Sequence, residues 1–171
     1  AEKRIMAEKL GLVAKISGYT LVIILILAFA GLATFSILSD NSIHGLTVKF
    51  YNVTWACSSN STSPNPVLVY TFNGVVVYSS TSIPTSLSSV TFSMSTNGIA
   101  VSTVTAHDAS FGPGQSAPYT LTFSNPALNP PSQPLSSQIG LSINAVVSAG
   151  LYSSQAWASD SHLVGFPSQA C

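Results

Sequence analysis

Residues 19–38, YTLVIILILAFAGLATFSIL, form an apolar run of 20 positions without a single charge. From Leu46 onward apolar residues recur at every second position instead. Val90, Phe92 and Met94 alternate with Thr91, Ser93 and Ser95, and Tyr119, Leu121 and Phe123 alternate with Thr120, Thr122 and Ser124. Leu141, Ile143, Ala145 and Val147 keep the same period, while Val67–Phe72 is apolar on both faces. A period of two predicts strands with one face buried, and a doubly apolar run predicts a strand buried on both. Asn73-Gly74 and Asn97-Gly98 each separate two such runs. Asn-Gly suits the positive φ angles of a tight hairpin turn, so two hairpins are expected. Short strands punctuated by Gly and Pro every 8–12 residues predict a mainly β fold, an antiparallel, immunoglobulin-like β-sandwich of about seven strands. The segments Ser58–Pro66 and Asn125–Ser137, the latter with four prolines, are expected as loops.

At 1.5 Å per residue a 20-residue helix is about 30 Å long, the thickness of a bilayer's hydrocarbon core. Residues 19–38 therefore predict a transmembrane helix. Lys3, Arg4, Lys9 and Lys15 precede it, and only Lys49 follows closely. An excess of Lys and Arg marks the cytoplasmic side, so residues 1–18 are expected as a cytoplasmic basic helical segment. Residues 39–45 are expected as a linker and 46–171 as an extracytoplasmic domain. A cleaved signal peptide is disfavoured, because the apolar run exceeds the 7–15 residues of a signal core. A pilin-like plan of basic leader, apolar helix and β domain is the rival reading. It lacks a glutamate near the start of the apolar run.

Charge sharpens this division. Six of the ten charged residues lie in the first 18 positions, and the 132 residues from Asp40 onward carry only Asp40, Lys49, Asp108 and Asp160. Ordinary domains are about a quarter charged. Phosphate backbones require clustered Lys and Arg, so nucleic acid is excluded as a partner. A domain with few carboxylates loses little stability on acidification, which suits an acidic exterior. A surface covered by neighbouring subunits or sugar has equally little need of charge.

Candidate chemistry is sparse. Asn52-Val53-Thr54 and Asn60-Ser61-Thr62 match the N-glycosylation pattern, which applies outside the membrane. Cys57 and Cys171 are the only cysteines, and two cysteines in an oxidising compartment predict one disulfide. Closing a loop of that length gives about 4–5 kcal/mol in the chain-entropy model. His44, His107 and His162 match no short metal-ligand spacing, so no metal and no cofactor is expected. His107, Asp108 and Asp160 with a serine make a hydrolase triad only on paper, since no Gly-x-Ser-x-Gly elbow is present. No catalytic residue is assigned. Tyr152 and Trp157 are candidate interface anchors, being the residue types that dominate binding hot spots.

The order of features resembles the LEA14-like, or WHy, β-sandwich family. The resemblance runs over about residues 46–153: an entry strand at Leu46–Trp55, then VTFSMSTNGIAVSTV (Val90–Val104), FGPGQSAPYTLTF (Phe111–Phe123) and IGLSINAVVSAGLYS (Ile139–Ser153). The family's Asn-Pro-Asn signature is represented only by SPNPV at 63–67. The resemblance implies a seven-strand sandwich and no catalytic residues; fold alone supplies no function. The expectation is a non-catalytic single-pass membrane protein, an accessory or structural subunit of an envelope or membrane-protein assembly. Its partners would be the lipid bilayer and other subunits. The alternative is a filament or virion subunit whose apolar helix packs against copies of itself.

Overall fold

A computed structural model describes residues 2–58, 67–79, 82–125 and 136–165, of which 2–14, 16 and 125 as backbone only. One helix, α1 (Glu2–His44), is followed by β1 (Leu46–Lys49), β2 (Asn52–Ser58), β3 (Val67–Ser79), β4 (Thr85–Thr96), β5 (Ile99–Thr105), β6 (Ala109–Phe111), β7 (Ser116–Asn125), β8 (Ser136–Ala149) and β9 (Tyr152–Gly165). The chain falls into two compact units, Ala1–Leu38 and Ser39–Cys171.

In the first unit the side chains of Tyr19 and of Leu21 through Leu27 are exposed on every side of the helix, as are Phe29 and Leu32. Within Ser17–His44 an 18-residue window reaches a mean hydropathy of 2.8, and none of that window is buried. The helix is long and apolar enough to span a membrane. Thr34 satisfies its hydroxyl within the helix by donating to the carbonyl of Ala30 at 2.9 Å.

The helix does not stop where its apolar run stops. Residues 39–45, expected as a linker, are instead the last turns of α1 and a tight turn at Gly45. Ser39, Ser42 and Ile43 are buried in the second unit. The Ser79 hydroxyl donates to the carbonyl of Ser42 at 2.9 Å, and the Gly45 N–H donates to Asn41 at 2.8 Å. These bonds satisfy carbonyls that a helix C-terminus leaves without partners.

The second unit is a two-sheet antiparallel sandwich with no closed barrel. In the first sheet β1 and β2 lie end to end along one edge of β3, in a single register: Lys49 faces Val76 and Asn52 faces Asn73. The other edge of β3 pairs with β7. In the second sheet β4 pairs with β8 and β8 with β9, while β5 and β6 lie end to end on the far side of β4. The nine strands thus make seven through-running ones. Inward-facing Tyr70, Phe72 and Phe123 of the first sheet meet Phe92, Leu141 and Ile143 of the second, all essentially inaccessible. Edge-to-face contacts pack the core: Phe72 to Phe123 at 5.4 Å within the first sheet, and Phe92 to Tyr119 at 5.1 Å between ring centroids across the two layers.

The two Asn-Gly pairs part company. Asn97 (φ 50°) and Gly98 (φ 79°) form a two-residue hairpin between β4 and β5, with Thr96 facing Ile99. Asn73-Gly74, expected as a second hairpin, is a bulge inside β3. The strand runs straight through, and its register against β7 slips by one residue between Phe72 and Val75. Both edges of β3 are paired, so folding back at Gly74 would abandon two ladders at once. Gly74 keeps its positive φ of 72° for the bulge instead. A second bulge, in β4 between Ser88 and Thr91, places Ser89 at φ 53°.

Candidate functional site

The residues with titratable chemistry lie at opposite edges of the sandwich. His107 and Asp108 occupy the connection between β5 and β6, at one edge of the second sheet. Asp160 and His162 lie on β9, at the other edge. The paper triad of His107, Asp108 and Asp160 is therefore not brought together. Among the described residues no group of three His, Cys, Asp or Glu side chains converges on a metal-sized space.

Each cluster has local work. The Asp108 carboxylate accepts the N–H of Ser89 at 3.1 Å, capping the bulge in β4 where that residue adopts a left-handed conformation. The Tyr119 hydroxyl donates to the carbonyl of His107 at 3.3 Å, and the two rings lie 4.9 Å apart. Burial, and secondarily the charge of Asp108, holds the Tyr119 phenol above its ordinary value of 10.0. At the other edge Asp160 fastens β1 to β9. Its carboxylate accepts the Phe50 N–H at 3.3 Å, the Ser161 N–H at 2.9 Å and, through the same oxygen as Phe50, His162 Nε2 at 3.0 Å. The Phe50 ring meets His162 at 4.7 Å and Phe72 at 5.2 Å. Asp160 and His162 are thus held as a seam between strands. His44 lies 3.4 Å from Asp40 on the last turns of α1, with both side chains well exposed.

Asn52 is exposed at the start of β2, on an edge strand, while Asn60 lies outside the described residues. Cys57 lies on β2, paired in register with Leu68, and is not a free thiol. Cys171 lies outside the described residues. Tyr152 and Trp157 share β9 but are five positions apart, and alternation puts them on opposite faces of the strand. Tyr152 stands at the strand's start, facing Ala149 across the ladder; Trp157 lies mid-strand, facing Asn144 on the outer surface.

Sequence reading missed the surface around Trp157. Outward-facing Ser93 and Ser95 of β4, Ser142 and Asn144 of β8, and Gln155 and Ser159 of β9 make an uncharged face, with no Lys, Arg, Asp or Glu directed outward among the described residues of this sheet. A shallow hollow of about 460 Å³ opens over Gly140, walled by Ser95, Gln138, Ser142, Ser159, Asp160 and Ser161. A hollow of about 500 Å³ on the other sheet is lined by Lys49, Tyr51, Tyr78 and Gln115.

No family model matches the chain, and no curated protein matches it. Solved structures show partial likeness. A protein from Archaeoglobus fulgidus shares 11% identity at a TM-score of 0.37, over 70% of this chain and 98% of that one. A protein assigned as ApaA from Bordetella pertussis shares 17% at 0.38, over 72% and 95%. A protein assigned as a beta-galactosidase from Bacteroides fragilis shares 16% at 0.33, over 71% of this chain and 18% of its own. Likeness at these TM-scores carries no functional argument, and the LEA14-like resemblance is not confirmed by it.

Proposed function

We propose that this chain is a non-catalytic single-pass membrane protein, with its N-terminus in the cytoplasm and its β-sandwich outside, serving as an accessory or structural subunit of an envelope or membrane-protein assembly. The observation that carries the reading is the stretch of α1 from Ser17: apolar on all sides, uncovered, and as long as a bilayer is thick. A helix of this kind needs lipid or other helices around it, because water would face an unbroken apolar cylinder. The basic residues Lys3, Arg4, Lys9 and Lys15 support the orientation. A Cys57–Cys171 disulfide and a glycan on exposed Asn52 both fit an oxidising exterior. The titratable side chains of the sandwich serve strand seams and bulges, which supports a role in contact over one in chemistry.

The test is labelling of intact cells with a membrane-impermeant amine reagent. Lys49 reacts from outside, while Lys3, Lys9 and Lys15 react only after permeabilisation, and the chain resists alkaline extraction. Reversed labelling, or release of the chain by alkali, would reject the reading.

A further inference from the structure

The outer face of the second sheet combines three features that the anchor and the sandwich do not require. The Trp157 indole is 76% exposed in the middle of a strand. Beside it Gln155 Nε2 donates to Asn144 Oδ1 at 3.0 Å, a bond that leaves Gln155 Oε1 and Asn144 Nδ2 available to a ligand. On the indole's other side the hollow begins at Ser159, one side-chain repeat along β9, and centres on Gly140, which faces Ser161 a repeat further on. Glycine at 140 lets the Ser95 hydroxyl close over the backbone at the hollow's floor, since a Cβ there would meet Ser95 Oγ at 2.5 Å.

We infer that this face is a binding site for a neutral saccharide, with Trp157 as the stacking platform. A pyranose ring has one face of C–H groups and a rim of hydroxyls. The first matches a flat indole, and the second matches amides and serine hydroxyls set in the same plane. An exposed tryptophan is also a common anchor for protein partners, but such anchors are typically fully desolvated among apolar neighbours. Here the indole is flanked by an amide pair and by Ser142 and Ser159. Asp160 also lines the hollow, but its carboxylate is engaged by the Phe50 and Ser161 N–H groups and by His162, and no other charged residue lines it. The hollow's volume falls in the range of small-ligand sites. Leu163, also on the outer face and exposed, lies six residues beyond Trp157, about 20 Å along the strand. The row from indole to hollow to Leu163 suits several linked sugar units. The inference does not depend on how the chain meets the membrane.

The experiment uses the full chain in lipid nanodiscs free of sugar headgroups, titrated with laminarin, yeast mannan, galactan and chitin oligosaccharides and followed by indole fluorescence and calorimetry. The expected result is saturable binding of at least one of these, unchanged between low and high salt. Trp157→Ala weakens it roughly tenfold or more, Trp157→Phe retains most of it, and both variants melt like the parent. Absence of binding across the panel overturns the inference, as does binding that survives Trp157→Ala. A change in self-association or in co-purifying protein on Trp157→Ala, without saccharide binding, would overturn it too and make the indole a protein contact.

Discussion

Replacing Asp160 with alanine should loosen the seam between β1 and β9 without touching the core. The carboxylate is 20% exposed and accepts three hydrogen bonds. They are not equal. The bond from Ser161 is local and exposed, so water replaces it at little cost. The pair with half-exposed His162 contributes at most about 1 kcal/mol. The bond from the Phe50 N–H matters most, because Phe50 is buried and its amide has this carboxylate as acceptor. A hydrogen bond to a charged group contributes about 1.5–3 kcal/mol, and a length of 3.3 Å puts this one toward the lower end. The sum is about 2 kcal/mol. With an unfolding entropy of about 2.1 cal/mol/K per residue over roughly 130 residues, that lowers the melting midpoint by about 7 °C. Asp160→Asn keeps an acceptor oxygen but loses the charge, and should cost about half as much. Thermal unfolding of the full chain in micelles, read by intrinsic fluorescence, gives the midpoints, and hydrogen exchange reports the Phe50 amide. If Asp160→Ala melts within about 1 °C of the parent and the Phe50 amide stays protected, the seam is closed by ring packing alone and the reasoning fails.

Three further outcomes follow from the same geometry. Phe92, fully buried against Tyr119, cannot accept a charge, so Phe92→Asp should abolish cooperative unfolding; a soluble variant with a sharp transition would contradict the assignment of the core. Gly98→Ala places a side chain at φ 79° with no neighbour within 4 Å, so it should destabilise by about 1–2 kcal/mol through backbone strain alone, measured by urea unfolding. Tyr119 keeps its proton in the folded state at pH values where the unfolded chain releases it. Its contribution is therefore complete below about pH 10 and is lost as pH rises above that. Tyr119→Phe should flatten the alkaline limb of the stability–pH curve, and an unchanged limb would assign that limb to other groups.

Much of the sandwich was legible because its strands keep a strict period of two where one face is buried. Val90–Met94, Tyr119–Phe123 and Leu141–Val147 all face inward at the expected residues. Asn97-Gly98 was legible because local turn chemistry and the surrounding strands agree. Asn73-Gly74 was not, since the same dipeptide serves a hairpin or a bulge, and pairing on both edges of β3 decides between them. Strand β9 was hidden for another reason. Between its ends, where Tyr152 and Val164 also turn inward, its inward positions are Ser154, Ala156, Ala158, Asp160 and His162, too small or too polar to mark a buried face. The uncharged face around Trp157 is a product of that hidden strand lying beside β8 and β4, a neighbourhood no local pattern encodes. The helical state of Ser39–His44 was missed because the apolar run ends at Leu38, while the turns beyond it are stabilised by burial of Ile43 and by the bond from Ser79.

The most direct test of the account is gentle-detergent extraction of the chain from native membranes, followed by native size separation and mass spectrometry of co-migrating proteins. An anchored accessory subunit predicts stoichiometric co-migration with other membrane or envelope proteins, in particles that remain discrete. A ladder or filament made of this chain alone would contradict it, placing the apolar helix in a helical core of its own copies.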